Sequence, residues 1–428
     1  MNRSETAVIE QLFLDQGFSV ADRHDHADVV VINTCTVTAK GDVDTRRLVN
    51  KINRTNPRAR IALIGCQAQL QSQQLSVLPN VHWIVGNARK MRLAEIIKQP
   101  LRTSAAGPVP LIVNPPITEK NFTIPRAGID ARRTRVNLKI QDGCDNFCSF
   151  CTIPYARGHA RSRVFSDIIR EARDLARAGY QEIVITGINV GTYKYRHYRL
   201  PDVISALEHI DTIKRVRLSS IEATTVNEKI LRKMLPAGKL CRFLHIPMQH
   251  AHDDILTAMN RPCGFDDYQH IIENIHRTVP RICIGTDVIV GFPGERDEHF
   301  EALRTRLSSL PVHYFHVFSY SARPLAASAS FANPVDIQTI QARSRILRRL
   351  SSQKREQYFQ SLIGTKQTVI FEQKKAQYWT GLTDHYCRVH AASGTDQRNN
   401  IQSVFITHVA DNKIFGKIVE QNNQEETI

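Results

Sequence analysis

Residues 141–151 read QDGCDNFCSFC, three cysteines (Cys144, Cys148 and Cys151) separated by three residues and then by two. Three thiolates on one short loop can each ligate one iron of a cubane, whereas a structural cluster takes four cysteines. The fourth iron is then open to bind a substrate, as the open position of a catalytic zinc is. A zinc site and a plain loop or core role are the competing readings. Zinc is disfavoured because the nearest further ligand, His159, lies in a basic segment.

Outward from this loop, strand-like runs alternate with helical ones: RVNLKIQDGC (135–144), SDIIREARDLARAGY (166–180), EIVITGINVG (182–191), KRVRLSSIE (214–222), RFLHIPMQH (242–250), ICIGTDVIVGF (282–292) and VHYFHVFSY (312–320). Such alternation predicts parallel strands in a wound or barrel-like α/β fold. Upstream, ADVVVINTC (27–35) and ARIALIGC (59–66) are continuous apolar runs, the pattern of strands buried on both faces. They place Cys35 and Cys66 at the carboxyl ends of adjacent strands, where α/β sheets put their ligands. A basic helix is expected between them, from about residue 40 to 53. Asn2 with Glu5 reads as an N-cap and its capping-box partner, ahead of a Val8, Ile9, Leu12, Phe13 stripe that stops at Gly17. Residues 99–121 have no sustained period and read as a linker. From Gly364 to about Glu420 the pattern becomes short β-like runs, a small antiparallel β module.

Composition narrows the class. The 428 residues carry a formal net charge of +16, which favours a polyanionic partner, nucleic acid first, over a small neutral ligand. A merely solvated basic surface is the alternative. The start MNRSETAVIEQ is polar and charged where the apolar core of a secretory signal would lie, and no apolar run approaches the roughly 20 residues that span a bilayer. A soluble, cytoplasmic enzyme or binding protein is therefore expected, and in a reducing cytosol the nine cysteines read as ligands, nucleophiles or buried apolar residues rather than disulfides. Cys241, Cys263, Cys283 and Cys387 read as small apolar residues.

The string VNLKIQDGCDNFCSFCTIPYARGHARSR (136–163) resembles the radical SAM methylthiotransferases, and RLSSIEA (217–223) resembles the branch acting on threonylcarbamoyladenosine next to the tRNA anticodon. That resemblance implies a 4Fe-4S cluster on Cys144, Cys148 and Cys151 that chelates S-adenosylmethionine and, once reduced, yields a 5'-deoxyadenosyl radical. VINTCTVT (31–38) and GCQAQ (65–69) resemble the family's N-terminal domain, which implies a second 4Fe-4S cluster on Cys35 and Cys66. TGINVGTY (186–193) and DVIVGFPGE (287–295) imply that Gly187, Asn189 and Gly291 lie near the cofactor. GLTDHYCRVH (381–390) looks like a TRAM domain, a small β barrel that binds RNA.

The implied organisation is an N-terminal α/β domain (1–100), a linker (101–130), a radical SAM partial barrel (131–361) and a TRAM-like barrel (362–423). The implied reaction is methylthiolation of C2 of threonylcarbamoyladenosine in tRNA, with an outside electron donor such as flavodoxin or ferredoxin and no membrane. Rival readings are a methylthiotransferase acting on isopentenyladenosine or on a ribosomal protein aspartate, and an iron-sulfur RNA-binding protein without sulfur insertion. Phe150 could cover the adenine or fill the core. Gly187 and Gly191 could admit a ligand or only make turns. Arg157, Arg161 and Arg163 could bind tRNA phosphates or form a solvated face, and His245, His250 and His252 could be a metal trio or a strand and its turn.

Two departures from the family stand out. Its second cluster takes three protein cysteines, the first in a GC-x-x-N phrase whose Asn matches Asn2, so that cysteine would fall before Met1. The expectation is a truncated or misassigned start. With two thiolates alone, the second cluster would be weakly held or missing. In addition, YSARPLAAS (320–328) lacks the family's Pro and Gly-Thr, which predicts a different loop there.

Overall fold

The structure, a computed structural model, describes residues 2–21, 26–36, 38–100, 102–104, 107–130 and 132–419. Its first unit is a parallel sheet in the order β1 (Val29–Thr34), β2 (Arg60–Gly65), β3 (Val81–Val85), β4 (Leu111–Val113). Strand side chains alternate between faces. Ile61 and Leu63 of β2 therefore meet Val49 and Ile52 of helix α2 (Ala39–Thr55), while Ala62 and Ile64 meet Ile9 of helix α1 (Asn2–Asp15). Each fully buried aliphatic side chain of this kind contributes roughly 1.5–3 kcal/mol. Leu111–Val113 lies inside the stretch read as linker, and three residues are too few to show a period.

The start of α1 departs from the sequence reading. Asn2 is already helical, and Glu5 is no capping partner: it is buried, with carboxylate oxygens 2.6 Å from Lys90, 2.7 Å from Lys139 and 3.1 Å from Arg157.

The middle of the chain forms two three-stranded parallel sheets. One is β5 (Arg135–Lys139), β6 (Glu182–Thr186) and β7 (Arg215–Leu218); the other is β8 (Phe243–His245), β9 (Cys283–Val290) and β10 (Tyr314–Ser319). Parallel bridges from Val216 to Leu240 and from Ser220 to His245 join them into one open, six-stranded wall. Val136, Leu138, Ile183 and Ile185 pack outward with Ile168, Ala172 and Leu175 of the helix Phe165–Arg177. The alternate residues, among them Asn137, Val184, Ser219 and His245, line the lumen.

Five C-terminal strands close a barrel in the order β11 (Lys366–Lys375), β12 (Tyr378–Thr383), β13 (Arg388–Ala392), β15 (Lys413–Ile418), β14 (Ile401–Ala410). Closure runs through one parallel pair, β13 with β15, in an otherwise antiparallel barrel. Phe243 and Cys283, at the starts of β8 and β9, share a core with Val369, Phe371 and Val404. Arg215 and Arg217 donate to the Leu382 and Thr383 carbonyls at 3.0 and 2.9 Å. The small barrel thus caps the amino-terminal end of the large one. Among the described residues, no helix is long and apolar enough to cross a membrane.

Candidate active site

The three-cysteine loop leaves the carboxyl end of β5. Gly143 (φ +71°) starts it, and a Cβ there would fall 2.0 Å from the His159 carbonyl. Only glycine allows that approach, and it lets the Cys144 N–H reach the Gly158 carbonyl at 3.2 Å. Further bonds pin the loop: Ser149 N–H to Met259 O at 3.0 Å, Ser149 Oγ to Ala258 O at 2.8 Å, and Ser328 N–H to Ser149 O at 2.9 Å. Arg261 donates to Cys148 Sγ at 3.5 Å and to Glu222 at 2.6 Å, and the Ile153 N–H donates to Cys151 Sγ at 3.5 Å.

Burial pushes the Cys144 thiol up and the Cys151 thiol up to about 12, with the neighbouring thiolates adding to both. Thiolates gathered this way need a metal's charge to ionise. Among the described residues, the His, Cys, Asp and Glu groups tight enough for a single ion, with ligand atoms within 4.8 Å, are two histidine–carboxylate trios and not the cysteines. The thiols are spread for something wider than one ion, which fits a cubane held by three of its corners.

Gln141 had no signal in the sequence, yet it ties this loop to the one after β6. Its Nε2 donates to the Gly143 carbonyl at 2.8 Å, and its Oε1 accepts from the Ile188 and Asn189 N–H groups at 2.9 Å. A Cβ on Gly187 would lie 2.9 Å from that Oε1, so glycine is needed for the junction. Asn189 is buried and its Oδ1 has no partner, an acceptor available to a cofactor. Phe150 packs, half-buried, against Ile255, Met259, Ile289 and Phe292. Gly291 (φ +78°) answers a packing need, since a Cβ there would strike Ile340 at 2.2 Å.

Two alternatives left open by the sequence are resolved. Arg157, Arg161 and Arg163 are neither phosphate contacts nor a solvated face. Their side chains are 2%, 11% and 0% exposed, and carboxylates of Glu5, Asp142, Asp167 and Glu171 hold them. The rings of His245, His250 and His252 form no common ligand set among the described residues: His245 faces Asp287 at 3.1 Å, His250 faces Glu295 at 3.6 Å and accepts the His252 N–H at 3.0 Å, and the His252 ring stands beside His299. His245 ends β8, and the other two lie in the irregular segment after it.

Cys35 and Cys66 follow adjacent strand ends in the sheet. Pairing of Thr34 with Gly65 puts them directly after neighbouring strand ends. Cys66 is buried and begins helix α3 (Cys66–Leu70), and Cys35 is exposed. Helix α3 packs on helix α4 (Ile153–Arg157), which begins two residues after Cys151. Asn87 bridges the two, its Nδ2 donating to Cys66 Sγ at 3.5 Å and to the Ala156 carbonyl at 2.8 Å. The 320–328 loop joins both sites as well: Arg323 donates to Thr36 at 2.7 Å and Asp42 at 2.5 Å, while Ser328 holds Ser149.

Within the barrel lies a cavity of about 430 Å³, lined by Arg133, Arg135, Asn137, Ser219, His245 and Tyr314 among others. Arginines outnumber carboxylates around it. Arg135, Arg215 and Arg217 share the buried Glu182 at 3.9, 3.7 and 2.8 Å, and Arg135 shares Glu372 with Arg388 at 2.9 Å.

An open parallel barrel whose first strand runs into a C-x3-C-x2-C loop defines a radical SAM enzyme. Residues 138–307 match the Radical SAM superfamily, and residues 1–86 match the uncharacterized protein family UPF0004. The structure is similar in fold to TsrM of Kitasatospora setae, a radical S-adenosylmethionine methyltransferase, with a TM-score of 0.56 and 17% identity over 73% of this chain and 70% of that one. Sequence relatives are much nearer. The chain is 32% identical to the threonylcarbamoyladenosine tRNA methylthiotransferase MtaB of Aquifex aeolicus (90% of this chain, 93% of that one) and 33% identical to MtaB of Bacillus subtilis (95% and 91%). It is 28% identical to the tRNA-2-methylthio-N(6)-dimethylallyladenosine synthase of Endomicrobium trichonymphae (98% and 97%). The chain belongs to the radical SAM methylthiotransferase family, in the branch that includes MtaB. It is an enzyme whose cofactors are a 4Fe-4S cluster and S-adenosylmethionine.

Proposed function

We propose that this enzyme methylthiolates C2 of N6-threonylcarbamoyladenosine next to the anticodon of tRNA. The observation that carries the choice of nucleoside is the cavity wall. A threonylcarbamoyl group brings a carboxylate, a hydroxyl and a urea, which suit Asn137, Ser219 and the surplus arginine charge around Glu182. A dimethylallyl group would leave those polar groups unpaired, at a cost of about 1–3 kcal/mol for each.

In this reading Cys144, Cys148 and Cys151 hold the radical-forming cluster and Cys35 with Cys66 hold the second, with their shared helix α4 fixing the distance between the two. Bound there, the clusters and S-adenosylmethionine supply the hydrogen-abstracting radical and the sulfur. Asn189 and the backbone at Gly187 contact the cofactor, Phe150 backs the loop, and Gly291 shapes the wall from a distance. Arg261 orients Cys148 and keeps positive charge beside it. A groove of about 800 Å³ between the two barrels, with Arg132, Lys374, Arg388 and Arg398, suits RNA phosphates, as does the net charge of +16. The electron comes from an external carrier such as flavodoxin or ferredoxin, in the cytoplasm where tRNA is found.

The test is anaerobic turnover of the reconstituted enzyme on two tRNA substrates, followed by nucleoside mass spectrometry. One substrate carries threonylcarbamoyladenosine and the other dimethylallyladenosine. Methylthiolation of the first alone is expected. Methylthiolation of the second alone would reverse the assignment.

A further inference from the structure

The barrel lumen contains a ligand set that the radical chemistry does not use. Asp287 on β9 pairs directly with His316 on β10, and His245 on β8 pairs with Gly285, two residues before Asp287. With a strand period of two, all three project to the same face. One ligand atom from each lies within 4.8 Å of the other two.

The local bonding favours an ion over a simple ion pair. Ser220 Oγ lies 2.9 Å from His245 Nδ1, which fixes the ring and turns Nε2 toward Asp287 Oδ1 at 3.1 Å. Yet His245 Nε2 and Asp287 Oδ1 are buried atoms without a hydrogen-bond partner, because that contact is not aligned as a bond. Two such atoms, with an imidazole beside them, converge on a third body. Two histidines and one carboxylate with open positions are a set that holds divalent first-row metals. A ligating histidine is oriented by a hydrogen-bond acceptor on its far nitrogen, the place that Ser220 Oγ takes here. Of the wall arginines, Arg217 is drawn to Glu182 at 2.8 Å and Arg135 to Glu372 at 2.9 Å, carboxylates outside the trio.

We infer that His245, Asp287 and His316 bind a divalent first-row metal ion whose open positions face the cavity, where it takes an oxygen of the bound nucleoside's side chain. The oxygen contact rests on the substrate reading above; the metal site does not.

The experiment uses the full chain, anaerobically reconstituted so that its cluster cysteines carry iron, washed with chelator and titrated with Zn2+. Bound zinc is counted by elemental analysis after desalting, and affinity is read by calorimetry. One site in the lumen is expected, lost in Asp287→Asn and His316→Ala with iron content unchanged. Ser220→Ala, which keeps every ligand, should weaken binding about 10–100-fold. His252→Ala reports on the separate His252, Asp254, His299 trio and should leave the lumen site intact. Failure of the wild type to take up zinc, or equal uptake by Asp287→Asn and His316→Ala, overturns the inference. Methylthiolated nucleoside measured on the same preparations keeps the two readings apart. Zinc bound in the lumen without threonylcarbamoyladenosine product would sink the substrate assignment and leave the metal site standing.

Discussion

The two cysteine sites are built in opposite ways. Cys144, Cys148 and Cys151 come from eight consecutive residues, and their geometry is set by a loop that Gly143, Ser149 and Arg261 clamp. Cys35 and Cys66 are 31 residues apart and are placed at neighbouring strand ends only because β1 and β2 pair in register. The first site therefore depends on local backbone conformation, and the second on the sheet and on contacts reaching it from elsewhere. Arg323 and Asn87 supply those contacts.

The largest effect should separate the sites by function. Cys148→Ala is expected to lower 5'-deoxyadenosine formation to the level of cluster-free protein, while Cys66→Ala keeps that formation and loses methylthiolated product. Chromatography of both products from one reaction checks it, and equal loss of 5'-deoxyadenosine in both variants would mean that the sites do not act separately.

Next in size is the charge cluster between them. Glu5→Ala takes from the buried Lys90 its carboxylate and leaves Lys139 and Arg157 to share Asp142, and should cost about 3–5 kcal/mol in denaturant unfolding. Those three cations hold the Glu5 carboxyl well below the usual carboxylate range in the folded state, overcoming its burial. Its contribution is therefore fully present above the unfolded carboxylate pKa of about 4.3 and is lost as pH falls through the lower folded value. The wild type should lose stability on acidification in that window. Glu5→Gln should lose less.

Gly143→Ala forces backbone against the His159 carbonyl in a left-handed conformation and should cost about 1–3 kcal/mol, read as lower iron content at the central loop after reconstitution. An unchanged iron count would show that the loop bends more easily than its clamps suggest. Smallest is His159→Ala. Its contact with Asp145 is 81% and 55% exposed, so unfolding should shift by less than about 1 kcal/mol.

Much of the scaffold was legible because apolar runs and cysteine spacing are local signals. The runs at 27–35 and 59–66 became β1 and β2, and those between 135 and 320 became the six-stranded wall. Charge compensation was not legible. Nothing in TIPYARGHARSR says that Arg157 meets a carboxylate 152 positions away, so its burial could not be separated from exposure. Short pieces were lost for a different reason: β4 has three residues, too few for a pattern. Gln141 escaped because an amide that joins two loops has no periodicity, and the parallel closure of the small barrel because pairing direction is not written in a single strand.

Helix α4 has a consequence for how the two reactive centres work together. It is only five residues long, leaving one loop and ending at the other cysteine's neighbour, so it acts as a ruler with no slack. One inserted residue would swing Arg157 by about 100° and break the alignment without touching a cysteine. In the proposed reading the nucleobase would then have to reach a gap of set width, with delivery of the RNA as the movable part of the cycle.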